Sequence, residues 1–298
     1  MKLITFKTQD AAPRTGVMRG DHETIDLLAA GGKPPFDARD MISLIASGPQ
    51  GLAWIREFAP QASAGLALTG ITLLSPIPRP RKNVFCVGWN YLEHFKEGES
   101  IRPHVVDMPS HPTFFSKTPT SVIGPYDDIP YDSKITEKLD WEAELGVIIG
   151  AGAKNITEAN AMKHVFGYTV INDVSGRDIQ RQHGQQWFKG KSLDGTCPMG
   201  PWIVTADEVR NPDQLAITCK LNGAVKQDSN TRYMYFKLPR IIAELSHGMT
   251  LEPGDIISTG TPAGVGHART PPEFMKPGDV LETEVQGVGL LRNRVTAV

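Results

Sequence analysis

The alternation of apolar and polar residues along the chain predicts a protein built mainly from short β-strands. Lys2 to Lys7 and Leu215 to Asn222 alternate as half-buried strands do, whereas Leu145 to Ile149 is apolar throughout, as in a strand buried on both faces. Asn222-Gly223 is a strong signal for a tight hairpin turn. These patterns favour a sheet-rich fold.

Helical patterns are few and short. Leu92 to Glu97 is predicted as one or two helical turns. Ser175 is predicted to cap a helix over Gly176 to His183, and Pro239 to begin a helix that Gly248 closes. Together with the strands, these segments predict a mainly β fold with some α.

The chain divides at a proline-rich segment. Residues 1–75 are predicted to form a small N-terminal α+β domain, a structural or dimer-supporting unit without concentrated chemistry. Pro76 to Arg81 is expected to be a stiff extended linker. Residues 76–298, which include it, are predicted to form the second, β-rich domain.

Composition and charge narrow the class of protein. The 298 residues carry a formal net charge of −2, which gives no reason to expect a nucleic-acid or membrane partner. The three widely spaced cysteines predict reduced, interior thiols, because they form no paired motif. No signal peptide and no apolar run of roughly 20 residues is evident. A cytoplasmic location is therefore predicted.

Two glutamates stand just before the apolar strand. Residues i and i+2 of an extended chain point the same way, so Glu142 and Glu144 are expected side by side, which is unfavourable without a proton or cation between them. Asp173 follows the next apolar strand and is expected at the same end of an antiparallel pair. Three carboxylates without Cys or His favour Mg²⁺ or Mn²⁺. The alternative is a solvated strand edge.

Other candidate groups lie before and after these acids. His94 and Glu97 share one helix face, where the carboxylate can orient the imidazole to take a proton; the alternative is a solvated histidine. Arg177 and Gln180, one turn apart, are predicted to hold a carboxylate, or else to form a polar helix face. Lys191 is expected to reach a substrate oxygen.

A glycine-rich turn follows a strand near the C-terminus. Residues 258–266 read Ser-Thr-Gly-Thr-Pro-Ala-Gly-Val-Gly and lack the lysine and following helix of a phosphate-binding loop. The turn, with Gly260 and Thr261 near its start, is therefore expected to offer backbone N–H groups to a substrate carboxylate or oxyanion.

Taken in order over residues 82–298, these motifs resemble the fumarylacetoacetate hydrolase family, in its acylpyruvase and 2-oxo-acid-processing branch. The ordered set carries the resemblance, since each motif alone is weak. The motifs are Gly88-Trp-Asn-Tyr with His94 and Glu97, Asp140-Trp-Glu142-Ala-Glu144-Leu, Asn172-Asp173 with Arg177-Asp-Ile-Gln180, Gly190-Lys191-Ser192, and Thr259-Gly-Thr261-Pro-Ala-Gly-Val-Gly266.

The resemblance implies mixed β-sheets rolled into a distorted barrel, usually in a homodimer. It implies Mg²⁺ or Mn²⁺ bound by Glu142, Glu144 and Asp173, and a small 2-oxo or 2,4-dioxo acid as substrate. His94 and Glu97 match the pair that activates water. The positions that match substrate and transition-state contacts are Lys191, Arg177, Gln180 and Thr261 with Gly260.

On this basis the expected activity is metal-dependent hydrolysis of a C–C bond in a 2,4-dioxo acid of the acylpyruvate or fumarylpyruvate type, giving pyruvate and a carboxylic acid. Three alternatives stay open: an oxaloacetate decarboxylase, an isomerase or decarboxylase of the 2-hydroxyhepta-2,4-diene-1,7-dioate type in aromatic catabolism, and a metal-stabilised binding protein without turnover. The far end of the substrate is expected to contact two segments, 99–112 and 228–236. The candidates there are Arg102, His104, Arg232, Tyr233 and Tyr235.

Overall fold

The computed structural model describes residues 1–9, 11–62, 64–99, 107–184 and 186–298. Strands provide most of its regular structure, as the alternation predicts. They are β1 (Lys2–Lys7), β2 (Arg14–Arg19), β3 (Glu23–Asp26), β4 (Leu66–Ala67), β5 (Thr72–Leu74), β6 (Val84–Gly88), β7 (Thr113–Lys117), β8 (Val122–Ile123), β9 (Ile129–Tyr131), β10 (Leu139–Asp140), β11 (Ala143–Ile149), β12 (Val165–Asn172), β13 (Ser175–Gly176), β14 (Cys197–Thr205), β15 (Ala216–Leu221), β16 (Ala224–Asn230), β17 (Ile256–Ser258), β18 (Val280–Val285) and β19 (Gly289–Ala297).

The helices are short and lie between the strands. They are α1 (Met41–Ala46), α2 (Gly48–Phe58), α3 (Leu92–Glu97), α4 (Glu158–Ala161), α5 (Arg177–Gln182), α6 (Phe188–Lys191) and α7 (Leu238–Ser246). The predictions of α3 and of α7, with its proline in the first turn, are confirmed. Within the described ranges, no helix is long and apolar enough to cross a membrane.

A twelve-stranded sheet forms the centre of the molecule. Its order is β4-β3-β2-β1-β14-β12-β11-β17-β6-β7, with β5 paired to β1 and β8 to β14. The N-terminal strands join this sheet because β1 pairs antiparallel with β14, Leu3 opposite Ile203. Residues 1–75 thus share a sheet with the rest of the chain, and their division as a domain stays a prediction.

A second sheet has the order β16-β15-β18-β19-β9. Its β15–β16 hairpin turns at Asn222 and Gly223, whose φ angles of 52° and 80° are those of a tight hairpin turn. In the twelve-stranded sheet, β6 pairs parallel with β17, whereas most other neighbouring strands, such as β11 and β12, pair antiparallel. The prediction of mixed sheets is therefore confirmed. Neither sheet closes on itself over the described residues, so the predicted barrel is not confirmed.

The centre of the large sheet positions the chemistry. Every residue of β11 and β12 is buried, since both strands have a neighbour on each side and apolar cover on both faces. The three cysteines are free and buried, as predicted. Polar residues at the ends of these two strands therefore lie in the protein interior.

One helix start was predicted wrongly. Ser175 does not cap a helix, because Ser175 and Gly176 form β13 and pair antiparallel with β10. The Ser175 hydroxyl donates instead to the carbonyl of Asp173 (2.8 Å), and the helix begins one residue later, at Arg177.

Candidate metal and catalytic site

The pairing of β11 with β12 brings three carboxylates together. Ala143 lies opposite Asn172, and the Asp173 N–H donates to the Glu142 carbonyl (2.8 Å) just beyond the paired residues. Glu142, Glu144 and Asp173 each place one oxygen within 4.8 Å of the others. Their exposed fractions are 5%, 1% and 0%. This burial excludes the alternative of a solvated strand edge.

Buried cations contact two of these carboxylates, Glu142 and Asp173, directly. Lys191 Nζ lies between Glu142 Oε2 (2.7 Å) and Asp173 Oδ2 (2.8 Å). Lys117 Nζ is 2.9 Å from Asp173 Oδ1, and Arg177 Nη2 is 2.6 Å from Glu142 Oε1. The three carboxylates and three cations form a network that we call the acidic cluster: Glu142, Glu144, Asp173, Lys117, Lys191 and Arg177.

The two glutamates differ in their electrostatic environment. Burial opposes the charge of Glu142, but Lys191 and Arg177 outweigh it and hold the pKa of that carboxyl well below its ordinary value. Burial, together with the charges of Asp173 and Glu142, raises the pKa of Glu144 well above its ordinary value. Glu144 accepts hydrogen bonds from Ser258 Oγ (2.6 Å) and the Gly260 N–H (2.8 Å). Burial and two neighbouring negative charges therefore both oppose ionisation of Glu144.

The donor chemistry of the cluster fits a hard divalent cation. Its candidate ligands are carboxylate oxygens, which Mg²⁺ and Mn²⁺ prefer. Asp140 is buried beside Arg177, so four carboxylates face three cations and leave one net negative charge when all are ionised. A divalent ion would reverse that balance and relieve the repulsion from Asp173 and Glu142, which adds to the larger effect of burial in raising the pKa of Glu144.

Arg177 is engaged within the protein. Its Nε donates to Asp140 (2.8 Å) and its Nη1 to Gln180 Oε1 (3.2 Å), while Nη2 pairs with Glu142. The structure therefore brings Arg177 and Gln180 together as predicted, but the guanidinium contacts the acidic cluster. Its predicted contact with a substrate carboxylate stays a prediction.

His94 and Glu97 form a hydrogen-bonded pair on α3. His94 Nδ1 lies 2.6 Å from Glu97 Oε1, and the Gly264 N–H donates to the other oxygen, Oε2 (2.8 Å). His94 also contributes to the lowered pKa of Glu142, after the larger effects of burial, Lys191 and Arg177, so it lies within electrostatic range of the acidic cluster. This geometry favours an oriented imidazole over a solvated histidine.

The turn before α3 is specific. Trp89 has a left-handed φ of 54°, and a side chain on Gly88 would lie 2.3 Å from the Trp187 ring. Asn90, fully buried, donates to the carbonyls of Thr259 (2.7 Å) and Phe236 (3.1 Å). The start of α3 is thereby attached to the glycine-rich turn.

That turn, residues 259–266, binds carboxylates of the protein itself. The N–H groups of Gly260, Gly264 and Gly266 donate to Glu144 (2.8 Å), Glu97 (2.8 Å) and Asp140 (2.7 Å) respectively. Gly260 and Gly264 have φ of +96° and +105°, which only glycine adopts readily. These three N–H groups are engaged in the protein, so the expected donation to substrate does not come from them in this structure.

Three buried residues were missed in the sequence. Lys117 ends strand β7, Asp140 precedes the glutamate motif, and Gln227 lies on β16; all three are at most 1% exposed. No periodicity marks them, because their partners lie far away in the chain. The motif that begins at Asp140 shows its position but not its contact with Arg177.

Five residues are predicted to contact the far end of the substrate. Arg102 and His104 lie outside the described residues. Tyr233 and Tyr235 are about half exposed, and the Arg232 guanidinium lies over the Tyr233 ring. The roles of all these residues stay predictions.

Comparisons with known proteins agree with the motifs. The family described as fumarylacetoacetate (FAA) hydrolase, C-terminal, matches residues 83–296. Oxaloacetate tautomerase YisK of Bacillus subtilis is 39% identical over 292 residues, covering 94% of this chain and 95% of its own. A fumarylacetoacetate hydrolase from psychrophilic Exiguobacterium antarcticum superposes with a TM-score of 0.84 at 38% identity over the whole of both chains. Maleylpyruvate hydrolase from Sphingobium sp. SYK-6, in complex with manganese(II) and pyruvate, gives 0.79 at 30% identity, covering 100% of this chain and 99% of its own.

Proposed function

Because the chain belongs to the fumarylacetoacetate hydrolase family, we propose that it is a divalent-metal-dependent enzyme that interconverts the keto and enol forms of oxaloacetate. The name of the Bacillus relative, which matches nearly the whole chain, supports this substrate. The observation that carries the proposal is the His94–Glu97 pair (2.6 Å) near three buried carboxylates. Enolisation needs such a base beside a cation that stabilises negative charge.

Glu142, Glu144 and Asp173 would hold the ion. When bound, Mg²⁺ or Mn²⁺ would supply a Lewis acid that stabilises the negative charge developing on the 2-oxo oxygen of the substrate. The manganese and pyruvate in the Sphingobium structure support this combination of a metal and a 2-oxo acid.

His94 supplies the proposed base. Since Nδ1 contacts Glu97, proton transfer is assigned to Nε2. Nε2 takes a proton from carbon 3 of the keto form, and the C–H electron pair becomes the C2–C3 double bond. The 2-oxo oxygen takes a proton from solvent to give the enol, and the imidazolium returns its own proton to solvent. The reverse sequence restores the ketone.

Two further side chains have proposed roles in the same step. Lys191, whose Nζ lies between Glu142 and Asp173, is the proposed hydrogen-bond donor to the 2-oxo oxygen. Gln180 accepts from Arg177 through Oε1, so its NH₂ group is the proposed contact to the substrate carboxylate. Thr261, in the glycine-rich turn, is a second proposed contact. Arg177 itself holds Glu142 in place.

C–C bond hydrolysis of a 2,4-dioxo acid is the second candidate. The same His94–Glu97 pair can deprotonate water, which attacks the 4-carbonyl; the C3–C4 bond breaks and pyruvate leaves as its enolate, which then takes up at carbon 3 the proton that His94 removed from water. The hydrolase with bound pyruvate supports this candidate. Decarboxylation, diene-dioate isomerisation and binding without turnover complete the alternatives.

The test is a substrate panel with Mg²⁺ or Mn²⁺: oxaloacetate, acetylpyruvate, fumarylpyruvate and a hydroxymuconate-type acid. We expect the ultraviolet absorbance of enol-oxaloacetate to relax faster with the enzyme, without loss of total oxaloacetate. His94→Ala should lower kcat by about 100-fold or more, because the base is removed. His164→Ala is the matched control, since the one side-chain hydrogen bond that this histidine makes within the described residues is to the Ala151 carbonyl (2.6 Å), away from the acidic cluster.

Each outcome of the panel has a meaning. Turnover of an acylpyruvate alone would replace the tautomerase by the hydrolase, and loss of CO₂ from oxaloacetate would indicate a decarboxylase. An enzyme that binds the metal but changes none of the four acids would support the binding-protein alternative. Full activity in His94→Ala would remove the assignment of the base.

Assembly and location are also proposed. We expect a homodimer, which sedimentation velocity would detect as twice the 32.6 kDa of the chain. The cytoplasmic location and the absence of nucleic-acid partners stay predictions from composition and charge.

A further inference from the structure

The backbone between the two metal-site glutamates is held by side chains. Ala143 lies between Glu142 and Glu144, and its N–H donates to Gln227 Oε1 (2.9 Å). Its carbonyl accepts from Thr261 Oγ1 (2.9 Å), and Gln227 Nε2 donates to the same Thr261 oxygen (2.8 Å). Ala143, Gln227 and Thr261 therefore form a closed cycle of hydrogen bonds, with Gln227 1% and Thr261 2% exposed.

The same glutamine reaches further along the glycine-rich turn. Gln227 Nε2 also donates to the carbonyl of Pro262 (2.8 Å), two residues before Gly264. Gly264 lies close to the backbone of β16, since a Cβ there would be 2.2 Å from the Lys226 carbonyl oxygen. Strand β16 thus supports the turn at the point where the Gly264 N–H binds Glu97.

We propose that Gln227, together with Thr261, is a positioning residue that fixes the distance between the His94–Glu97 pair and the acidic cluster. The cycle fixes residues 261–264 to Ala143, and Gly264 fixes Glu97. The inference rests on the proposed function, in which that distance decides whether the base reaches the substrate. It reassigns the Thr261 hydroxyl from a substrate contact to a structural one.

A glutamine is suited to this place because its planar amide carries one acceptor and two donors. The acceptor serves Ala143, and the donors serve Thr261 and Pro262. Methionine has a similar length but neither group, so Gln227→Met would remove the partner of the buried Ala143 N–H and of the Pro262 carbonyl, while Thr261 would keep its hydrogen bond to Ala143. Thr261→Val removes only the hydroxyl, whereas Thr261→Ser retains it.

The experiment combines hydrogen exchange, metal titration and kinetics. In Gln227→Met and Thr261→Val we expect the Gly264 amide to exchange roughly fivefold faster or more, the equivalent of one lost hydrogen bond. We expect kcat to fall about tenfold or more from misplacement of the base, with KM and the Mn²⁺ Kd within about threefold of wild type. Thr261→Ser, which keeps the hydroxyl, should show the wild-type exchange rate of the Gly264 amide and the wild-type kcat.

Asn293→Leu is the matched control. Asn293 is also a buried amide that donates to two carbonyls, those of Gly124 (3.1 Å) and Asp127 (2.7 Å), but it contacts neither the turn nor the acidic cluster. It should leave exchange of Gly264 and kcat unchanged.

Three results would overturn the inference. Unchanged Gly264 exchange in both variants would show that the cycle does not hold the turn. A higher KM with normal kcat and exchange in Thr261→Val would return Thr261 to substrate binding. A parallel loss of Mn²⁺ affinity would mean that Gln227 supports the metal ligands only. The exchange measurement needs no turnover, so it decides the inference even if oxaloacetate is not the substrate.

Discussion

The acidic cluster and the His94–Glu97 pair lie near each other but are held by different means. In the acidic cluster, ammonium and guanidinium groups contact the carboxylates of Glu142 and Asp173 at 2.6–2.9 Å, inside the protein. Glu97 is held instead by a neutral backbone N–H from a glycine-rich turn. One region depends on buried charges and the other on backbone position.

This difference predicts how each region responds to change. Removing one member of a buried ion pair leaves its partner charged and unpaired, which is costly. Removing a neutral hydrogen bond costs less, yet a small shift of a catalytic base has a large effect on rate. Stability and metal binding should therefore depend on the acidic cluster, and proton transfer on the turn.

The largest effect is expected for Asp173→Asn. The amide lacks the negative charge that a divalent ion needs, so Mg²⁺ or Mn²⁺ affinity should fall by more than about 100-fold in calorimetry. Asp255→Asn is the control, because Asp255 is a buried carboxylate paired with Lys82 (2.9 Å) outside the cluster. Equal affinities in wild type and Asp173→Asn would place the metal elsewhere.

Lys117→Met should have the next largest effect, on stability. Lys117 Nζ donates to the carbonyls of Val174 (3.0 Å) and Lys191 and pairs with Asp173, and it is fully buried. We expect the free energy of unfolding to fall by about 3 kcal/mol in urea titrations of metal-free protein. Arg56→Met, at the ion pair with Asp207 (2.9 Å) in which both side chains are 52% exposed, should cost about 1 kcal/mol or less. Equal losses would contradict the contrast between buried and exposed pairs.

Local signals in the sequence predicted much of the fold. Asn222-Gly223 specifies a hairpin by its own backbone preference, and Pro239 with Gly248 marks both ends of α7. Pairing between distant strands carries no such signal. The junction of β1 with β14 brings Leu3 opposite Ile203 and could not be predicted from either segment alone.

The candidate site shows the same limit. Glu142 and Glu144 were identified together because i and i+2 share one side of a strand, and Asp173 because it ends the next strand. Lys117 ends β7, the edge strand of the large sheet. Its role depends on its contact with Asp173, which the spacing of residues in the sequence does not reveal. The turn at 259–266 was identified as an anion-binding loop, but the anions that it binds are side chains of the protein.

The smallest effect is expected at Asp178, a carboxylate held by neutral donors at the start of α5. Thr136 Oγ1 (2.5 Å) and the N–H groups of Glu137 (3.1 Å) and Ile179 (2.9 Å) donate to it. Burial acts to raise the pKa of Asp178, but these hydrogen bonds outweigh it and lower the pKa below its ordinary value. The unfolded chain therefore binds this proton more readily than the folded one, so the stabilisation is complete above the ordinary pKa of Asp and is lost as pH falls through the lowered pKa.

Asp178→Ala should thus lower the free energy of unfolding by about 1 kcal/mol at neutral pH, and the difference from wild type should shrink in acid. Urea titrations across that pH range measure both effects. Asp178→Asn keeps an acceptor oxygen but cannot ionise, so its stability should lack this contribution to the pH dependence. A loss in Asp178→Ala as large as that in Lys117→Met would mean that neutral donors stabilise a carboxylate as strongly as buried ions do, and the contrast between the two regions would then be wrong.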